Sequence, residues 1–493
     1  MKMSEGEQQD IGAPLLESLY PDCPGCKCAH LTAKGSGPPF KVLSMVSLIV
    51  ICCILPTSSL FPFMYFMVDD FKIAPKKEDI GYYAGALGSM FMFGRFCTSI
   101  AWGVFADKYG RRPAFVLGLL SVVILQMIFG TTKNFWVAIT VRFLLGAFNG
   151  MFGTLKAYAS EVCNEESQAW GLSTVSTSWN LGLMIGPAMG GFLARPAVNF
   201  PSLFSQDGFF GQYPYILPSI VQAVFALAGL FVIPFMPETL HKHQTKQSSA
   251  DQTKLVESAE PKESLWRNYA LMATIAVYCI WCFMELAFTE VFSLWSVSPL
   301  GANGLGLPTS DVGMIIAIAG TSVFAFNMTL FPMVASYLGP IMVTRIPAMI
   351  SVPLMILFPL AVRFHGTVQW LFLNVLASTR SVLSTAVITG TFMLTNNAVP
   401  THQRGVANGI AMTFVSLFRS GGPATAGAIF AWSQSRENAR VFPGIQLVFA
   451  VLECCILLAV LATYPPFLPK STNRPYNITH PEEKPVRNKE EEC

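Results

Sequence analysis

Twelve long apolar segments limit the folds that this chain can adopt. A helix needs about 20 apolar residues to cross a bilayer. Windows of about 19 residues place the segments at 42–67, 80–101, 114–131, 135–159, 168–194, 214–235, 269–297, 311–335, 341–362, 367–396, 405–432 and 443–464. Only 12% of the 493 residues are charged, about half the share of roughly 25% in soluble domains. The sequence excludes an ordinary soluble enzyme and predicts an all-α membrane protein with 12 transmembrane helices.

The segments fall into two groups of six that resemble each other. Residues 168–194 align without a gap on residues 404–430, so that Gly186-Pro187 matches Gly422-Pro423. Two parallel repeats around a central cavity are typical of transporters, and we predict two pseudo-symmetric six-helix bundles. The predicted parts are an N-terminal tail with a Cys motif (1–41), the first bundle (42–236), a linker with a His motif (237–267), the second bundle (268–464) and a C-terminal tail (465–493).

Basic residues outside the spans are concentrated on one face of the membrane. That face carries both tails, the linker and the loop with Lys108, Arg111 and Arg112. Basic loops face the cytosol, so we predict that both termini and the linker are cytosolic. The net charge is only +3, which indicates no affinity for nucleic acid. The expected partners are the lipid bilayer, protons and a small-molecule substrate, and the protein is expected to be a monomer.

The loop between spans 2 and 3 carries the most specific motif. Its residues are Gly103, Asp107, Gly110, Arg111 and Arg112. The glycines permit a tight turn, Asp107 is suited to accept hydrogen bonds at a helix N-terminus, and Arg111 to pair with an acid. Membrane topology alone would explain the arginines but not the spacing of Asp and Gly. The motif resembles the G-x-x-x-D-x-x-G-R-[KR] loop of the major facilitator superfamily. That resemblance implies the major facilitator fold, with Glu161 pairing with Arg111 as a cytosolic gate latch.

Two further motifs agree with this resemblance. Span 4 contains Arg142-x-x-x-Gly146-x-x-x-Gly150, and in the superfamily this arginine is linked to proton coupling. A buried cation needs compensation, so a structural ion pair is the alternative for Arg142. A motif in span 5 resembles the antiporter motif of the superfamily, although close helix packing and a proline bend would also explain it. Its residues are Gly182, Gly186, Pro187, Gly190 and Gly191.

Acidic residues within the spans are the candidates for proton coupling, because a carboxyl in an apolar cavity can take up and release a proton near neutral pH. Glu285 is the first candidate, since by resemblance span 7 lines the cavity of these proteins. Glu290 and Glu453 are the others. The alternative for Glu290 and Glu453 is that they are structural partners of Arg380 or Arg419.

Span 1 contains candidate contacts for a substrate. Its two prolines would loosen the helix and expose hydroxyl groups and carbonyls at mid-membrane, although a kink alone needs no ligand. Arginines within other spans would favour an anion, whereas the acids would favour a cation. The candidate substrate-cavity residues are Thr57, Ser58, Ser59, Tyr65, Arg380 and Arg419.

Two polar segments contain possible metal ligands. Thiolates and imidazoles at such spacings suit Zn(II), and both segments lie on the predicted cytosolic face, where they could meet. A tail without metal is the alternative, and no other cofactor is expected. The candidate ligands are Cys23, Cys26, Cys28, His30, His241 and His243.

Four motifs together narrow the resemblance. They are the C-P-G-C tail, L-P-x-S-S-L-F-P-F in span 1, the G-R-x-x-T-S-x-x-W-G-x-x-A-D-x-x-G-R-[KR]-P loop and the P-E-T-L-H linker. Over nearly the whole chain they resemble the zinc-induced facilitator-like proteins of plants. The resemblance implies a proton-coupled exporter of the vacuolar or plasma membrane in zinc and iron homeostasis. Members are associated with nicotianamine or phytosiderophore-type chelators, and some with potassium and auxin transport.

We therefore predict a secondary active transporter that exports a small solute in exchange for protons while its two halves rock. A metal chelator, a metal complex or an organic anion is the expected cargo. The alternative is a non-transporting membrane zinc sensor or receptor that uses the cytosolic Cys and His motifs. A membrane enzyme is least favoured, because the sequence lacks the G-x-S-x-G, P-loop and H-E-x-x-H signatures.

Overall fold

The computed structural model describes residues 23–26, 28, 39–163, 168–240, 265–300, 304–399, 404–434 and 444–473. Regular secondary structure in these residues is helical, without any strand. Helices occupy all twelve positions predicted for spans. The all-α fold class is therefore confirmed.

The helices divide between the two predicted halves. The first half contains α1 (Phe40–Ser58), α2 (Met64–Asp70), α3 (Ile80–Tyr109), α4 (Arg111–Thr131), α5 (Phe135–Phe148), α6 (Phe152–Glu161), α7 (Gln168–Leu193) and α8 (Ile216–Val232). The second half contains α9 (Tyr269–Val297), α10 (Thr309–Thr329), α11 (Phe331–Leu357), α12 (Gly366–Asn397), α13 (Arg404–Gln434) and α14 (Ile445–Ala462). Spans 1 and 4 are each split in two, as α1 with α2 and α5 with α6.

Nine stretches of the described residues are long and apolar enough to cross a membrane. The predicted spans outside this set are α3, α7 and α13. Two of them, α3 and α13, pack against each other across the halves, and α7 packs against α10 of the second half. Helices that face protein rather than lipid tolerate glycine and polar residues, which explains their lower hydropathy. The count of twelve crossings stays a prediction.

Both split spans are broken in the core of the first half. The helix of span 1 ends at Ser58 and resumes at Met64, which confirms the loosening predicted from its prolines. Asn149 follows α5 and donates a hydrogen bond from Nδ2 to the carbonyl oxygen of Cys53 at 2.9 Å. The side chain at the break in span 4 thus binds α1, the helix that ends at the break in span 1.

The two halves touch where small residues face each other. A Cβ atom on Gly81 would lie 2.7 Å from the carbonyl oxygen of Gly427, and one on Gly191 would lie 2.9 Å from the Cα atom of Gly313. These contacts lie near the first turns of α3 and α10 and the last turns of α7 and α13. All are on the membrane face opposite the two tails. The halves are therefore closed on that face.

Candidate functional site

An ion pair joins α9 and α12 within the second half. Arg380 donates a hydrogen bond from Nη1 to Oε1 of Glu285 at 2.9 Å, and its Nη2 lies at the ion-pair distance of 2.8 Å from Oε2. Ser384 also donates to this carboxylate and accepts a hydrogen bond from Trp281 Nε1 at 2.8 Å. The guanidinium carbon lies 3.8 Å from the ring centroid of Phe288. The Glu285 side chain is 26% exposed and that of Arg380 is 3% exposed, so Glu285 is held by an internal partner.

Arg142 of α5 is buried in the first half without such a partner. No carboxylate lies within ion-pair distance of it among the described residues. Its Nη1 donates to the carbonyl oxygen of Pro56 at 2.6 Å, and its Nε to that of Leu87 at 3.5 Å. The guanidinium carbon lies 4.9 Å from the ring centroid of Phe91. Within the described ranges Arg142 therefore forms no structural ion pair, and its coupling role stays a prediction.

Glu290 of α9 is completely buried where the two halves meet. Neither of its carboxyl oxygens has a hydrogen-bond partner in the described part of the chain. Its Oε2 faces α3, where a Cβ atom on Gly88 would lie 3.0 Å from it and 3.1 Å from the Cβ of Pro423. An acidic side chain thus lies inside the contact between α3, α9 and α13.

The structure does not form the pairs suggested for the other acids. Arg380 already has the partner described above, and Arg419 of α13 contacts Cys282 Sγ through Nη2 at 3.5 Å. Glu453 of α14 is half-buried and forms no ion pair with a described residue. The suggestion that Glu290 or Glu453 pairs with Arg380 or Arg419 is therefore wrong.

Arg95 of α3 and Lys156 of α6 also belong to this site. Neither residue was assigned a specific role from the sequence. Both lie against the ring of Phe152, with the Arg95 Cζ 5.1 Å and the Lys156 Nζ 5.0 Å from its centroid. Lys156 Nζ also lies 5.6 Å from the ring centroid of Phe392, in the second half. Both residues carry a signal in the sequence, since charges within spans are rare. The sequence could not show that they converge on one ring.

The hydroxyl groups of span 1 are buried inside the first half. Thr57, Ser58 and Ser59 are 4% exposed or less, and Tyr65 is 6% exposed. Ser58 Oγ donates to the carbonyl oxygen of Gly182 at 3.0 Å, and Ser59 Oγ accepts a hydrogen bond from a glutamine of α8 at 2.9 Å. Their placement in an open substrate cavity is thus not supported in this conformation, because the break in span 1 packs against α7 and α8.

The glycine motif of α7 has two packing faces. A Cβ atom on three of its glycines would collide with span 1, and these pairs are Gly182 with Ile54, Gly186 with Ser58 and Gly190 with Ser59. On the other face, a Cβ atom on Gly191 would lie 2.5 Å from the carbonyl oxygen of Thr309 in the second half. Pro187 lies within the same helix. The packing explanation is therefore correct, and a role in antiport stays a prediction.

The loop motif forms the predicted latch. Arg111 Nη2 lies 2.7 Å from Glu161 Oε1, and Arg111 Nη1 lies 2.6 Å from Asp107 Oδ1. Thr239 Oγ1 donates to Glu161 Oε2 at 2.5 Å. A Cβ atom on Gly103 would meet nothing within 4 Å. The expected pairing of Arg111 with Glu161 is confirmed, whereas its role as a gate is untested.

Glu238, which follows α8, caps the same loop and was missed by sequence reasoning. Its carboxylate accepts hydrogen bonds from the backbone N–H groups of Arg111 and Arg112, each at 3.0 Å. Gly110 has a φ of 108°, and a Cβ atom there would lie 2.8 Å from Glu238 Oε2. A carboxylate is stabilising at a helix N-terminus. The acid of the P-E-T-L-H linker was the available signal.

The Cys segment of the N-terminal tail meets the linker. The backbone N–H of Gly25 donates to the carbonyl oxygen of Leu240 at 3.2 Å. Cys23 and Cys28 are buried, and Cys26 is half-buried. Within the described residues, no three His, Cys, Asp or Glu side chains are grouped as metal ligands, so a zinc site stays a prediction. The remaining predicted ligands, which lie outside the described residues, are His30, His241 and His243.

The chain is similar in sequence to known transporters. The family model described as Major Facilitator Superfamily matches residues 46–423. The chain is 46% identical to Protein ZINC INDUCED FACILITATOR-LIKE 1 of Arabidopsis thaliana, covering 92% of this chain and 97% of that protein. It is 43% identical to Protein ZINC INDUCED FACILITATOR 1 of the same plant, with the same coverage of 92% and 97%. A probable peptide/nitrate transporter of that plant is 42% identical over 94% of this chain and 99% of its own.

Solved structures share the fold. A D-xylose-proton symporter matches with a TM-score of 0.70 and 14% identity over 88% of this chain and 99% of its own. A bacterial homologue of the human lysosomal transporter Spinster matches with a TM-score of 0.65 and 14% identity over 88% of this chain and 96% of its own. Identities this low establish the similarity of fold alone.

Proposed function

Because the chain belongs to the major facilitator superfamily, and within it to the plant zinc-induced facilitator-like group, we propose that it is a proton-coupled antiporter. It is an integral membrane transporter and not an enzyme. The proposed cargo is a small solute, namely a metal chelator, a metal complex or an organic anion. Its export would contribute to zinc and iron homeostasis, and the names of the two facilitator relatives support the link to zinc.

The buried carboxyl of Glu290 carries the proposal of proton coupling. An ionised carboxylate without a hydrogen-bond partner is costly in a water-free contact. In the observed conformation Glu290 is sealed between the halves without such a partner. When the halves separate on this face, water reaches the same carboxyl and allows it to ionise. The protonation of Glu290 would thereby depend on which face of the transporter is open.

Arg142 is suited to assist this step. Its Nε donates to the carbonyl oxygen of Leu87, and the next residue of α3, Gly88, packs against Glu290. A positive charge on Arg142, beside this part of α3, would favour release of the proton once water enters. Glu285 is a weaker candidate than its position in span 7 suggests, because Arg380 holds it in a bidentate pair.

The test is proton movement in proteoliposomes that contain a pH-sensitive dye. Citrate and histidine are supplied on one side, each with and without Zn(II), to wild-type protein, E290Q and E78Q. Glu78 is exposed and lies before α3, so E78Q is a matched control. We expect substrate-dependent proton flux in the wild type and in E78Q. E290Q should lose this flux while retaining exchange of labelled substrate across the membrane. Unchanged proton coupling in E290Q would refute the assignment.

The membrane and the orientation are part of the proposal. Basic residues on the face of the tails and the linker support cytosolic termini, and the family resemblance supports the vacuolar or plasma membrane. With this orientation the closed face of the structure is the lumenal or external one. Substrate would then enter from the cytosol, as export requires.

The contact between Gly25 and Leu240 favours the alternative of a non-transporting zinc sensor. It brings the Cys segment next to the part of the linker that leads to the His residues. Zn(II) held by these segments would supply a structural cross-link. The absence of any proton flux in the assay above, together with Zn(II) binding that C23S/C26S abolishes, would support the sensor over the transporter.

A further inference from the structure

A cleft of about 490 Å³ lies in the first half, on the membrane face opposite the two tails. It is lined by the end of α2, the connection between α4 and α5, and the connection between α7 and α8. Among the described residues, the second half contributes none to this lining. The cleft is therefore separate from the centre of the molecule, where the two halves meet.

The cleft lies at the depth of the lipid headgroups. Lys133 of its lining comes two residues after the apolar stretch Arg111–Thr131, and Tyr215 directly precedes the apolar stretch Ile216–Phe235. Less than half of either stretch is buried inside the protein, so both helices face lipid. Trp136, in the first turn of α5, is 64% exposed, and exposed tryptophans are typical of the membrane interface. A ligand of this cleft can therefore come from the bilayer.

The segment before α8 brings the two basic side chains of the cleft together. Lys133 Nζ lies 4.6 Å from the ring centroid of Tyr213. The backbone N–H of Arg195 donates to the carbonyl oxygen of Pro214, the next residue, at 2.7 Å. Consecutive Cα atoms are about 3.8 Å apart. Both basic residues are thus fixed at adjacent positions of one segment.

These two cations outnumber the acid of the cleft. Asp70 is the acidic residue in the lining, and it accepts a hydrogen bond from the hydroxyl of Tyr215. Neither Lys133 nor Arg195 forms an ion pair with a described residue. The Arg195 Cζ lies 4.9 Å from the ring centroid of Phe66, and an aromatic ring compensates a cation only in part. The cleft therefore carries one net positive charge.

Arg195 is also held in a backbone conformation that favours glycine. Its φ is 51° and its ψ is 53°, and among the described residues other than glycine only Lys72 shares a positive φ. Arg195 follows the end of α7, a position where glycine is usual because it lacks a Cβ atom. Strained residues of this kind are concentrated at ligand sites. The chain thus keeps a basic side chain at this cleft against its backbone preference.

We infer that Lys133 and Arg195 bind the phosphate group of a phospholipid headgroup in the leaflet on this face. A phosphodiester carries one negative charge, which matches the net charge of the cleft. Arginine and lysine bind phosphate oxygens through short charge-assisted hydrogen bonds. Leu203 and Phe209 of the connection between α7 and α8 are each more than half exposed and would contact the same leaflet. The bound lipid would join this connection to the one between α4 and α5, independently of the transported substrate.

Helix ends are the alternative partners of the two cations. α4 ends at Thr131 and α7 at Leu193, and the carbonyl groups at a helix C-terminus favour a nearby positive charge. In that case Lys133 and Arg195 would stabilise the folded protein without any ligand. The two explanations therefore differ in what they predict for variants studied in the absence of lipid.

Thermal unfolding of the purified, delipidated full-length protein in detergent tests the site. A ligand that binds only the folded state raises the melting temperature as its concentration exceeds its dissociation constant. The probes are dioleoyl phosphatidylglycerol, dioleoylglycerol, which lacks the phosphate, and soluble glycerophosphoglycerol, all at constant ionic strength. We expect a saturable rise with phosphatidylglycerol and none with dioleoylglycerol. An equal rise with dioleoylglycerol, or no rise with phosphatidylglycerol, would overturn the site. An equal rise with glycerophosphoglycerol would overturn the lipid as its ligand.

Variants identify the residues that bind the phosphate. K133Q and R195Q should each weaken binding of phosphatidylglycerol by about tenfold or more, the value of one hydrogen bond to a charged group. K133R keeps the charge and should stay within about threefold of the wild type. K76Q removes an exposed lysine on the same face and should leave the affinity unchanged. Unchanged affinity in K133Q or R195Q, or an equal loss in K76Q, would contradict the assignment.

R195G separates the lipid site from the structural alternative. Glycine adopts a φ of 51° without strain, so R195G without lipid should melt no lower than the wild type. Its stabilisation by phosphatidylglycerol should be lost as in R195Q. Lower melting without lipid, together with a wild-type response to phosphatidylglycerol, would show that Arg195 serves the helix ends and would refute the site.

Discussion

Each half of the molecule buries one arginine on its fourth span, and the two are satisfied by different chemistry. Arg380 of the second half binds the carboxylate of Glu285, whereas Arg142 of the first half binds the carbonyl oxygen of Pro56. Pro56 and Glu285 occupy the same position in their halves, since each lies sixteen residues after the start of the first helix.

The difference follows from the break in span 1. α1 ends at Ser58, so the carbonyl of Pro56 in its last turn lacks an intrahelical donor and is available to Arg142. α9 continues to Val297 without a break, and a side chain must supply the acceptor instead. A carbonyl leaves Arg142 with its full charge, while a carboxylate cancels the charge of Arg380. One half therefore keeps a positive charge that acts on Glu290, and the other half keeps a neutral pair.

The loops after the second span of each half also share their geometry but differ in the charge of the group that binds them. In the first half Gly110 has a φ of 108° and Glu238 caps the following helix. In the second half Gly339 has a φ of 72° within α11, and Asn473 Oδ1 accepts a hydrogen bond from Ile341 N at 3.3 Å. The geometry is repeated, but the first half uses a charged cap and the second half a neutral one.

The largest difference in unfolding free energy is expected between variants of the two buried arginines. R380M leaves Glu285 without its cation, and losing one partner of a buried pair costs about 3–5 kcal/mol. We expect about 3 kcal/mol, at the low end of that range, because Glu285 is 26% exposed. R142M removes hydrogen bonds to carbonyls only and should cost about 1 kcal/mol. Denaturant unfolding of the purified variants measures both losses.

The double variant E285M/R380M serves as its control. Replacing both members of a buried pair by apolar groups is often nearly neutral, so most of the stability should return. If R142M cost as much as R380M, the distinction between carbonyl and carboxylate compensation would be wrong.

The two caps should differ in their contribution to the free energy of unfolding by less than the two buried arginines do. E238A removes a charged acceptor for two backbone N–H groups at a helix N-terminus and should cost about 2 kcal/mol. N473A removes one hydrogen bond from an exposed side chain and should cost about 0.5 kcal/mol. E238Q keeps the shape without the charge and should fall between them. Thermal unfolding of these variants ranks the losses, and equal values for E238A and N473A would show that the charge is irrelevant.

The smallest difference is expected between two arginines that join these loops to the last span of each half. Arg112 Nη2 donates to the carbonyl oxygen of Pro234 at 2.9 Å, and Arg345 Nη2 to that of Thr463 at 2.5 Å. Each replacement by Met should cost about 1 kcal/mol. Arg345 also stacks on Tyr464 at 3.8 Å, so R345K should not restore stability. Thermal unfolding that shows a much larger loss for one arginine would break the equivalence of the loops.

The architecture could be predicted because hydropathy and glycine spacing are local properties. Helices lie at all twelve positions where apolar segments predict them, and the loop motif predicted the pair of Arg111 and Glu161. Glu238 escaped prediction because a cap is recognisable only when the helix that it caps is known to be adjacent. The burial of the span 1 hydroxyl groups in this conformation also escaped prediction, because a helix break can face either a cavity or a neighbouring helix and sequence does not distinguish the two.

The apolar segments, the repeat and the family can be recognised from the order of residues alone, because each depends on which residues follow one another. Which charges meet depends instead on how the helices pack. This packing placed Arg380 on Glu285, left Glu290 sealed between the halves, and gathered Arg95 and Lys156 on one ring. The physical reason is that charge compensation depends on distances between different helices. Those distances arise from packing of the two halves, and the order of residues along one helix does not contain them.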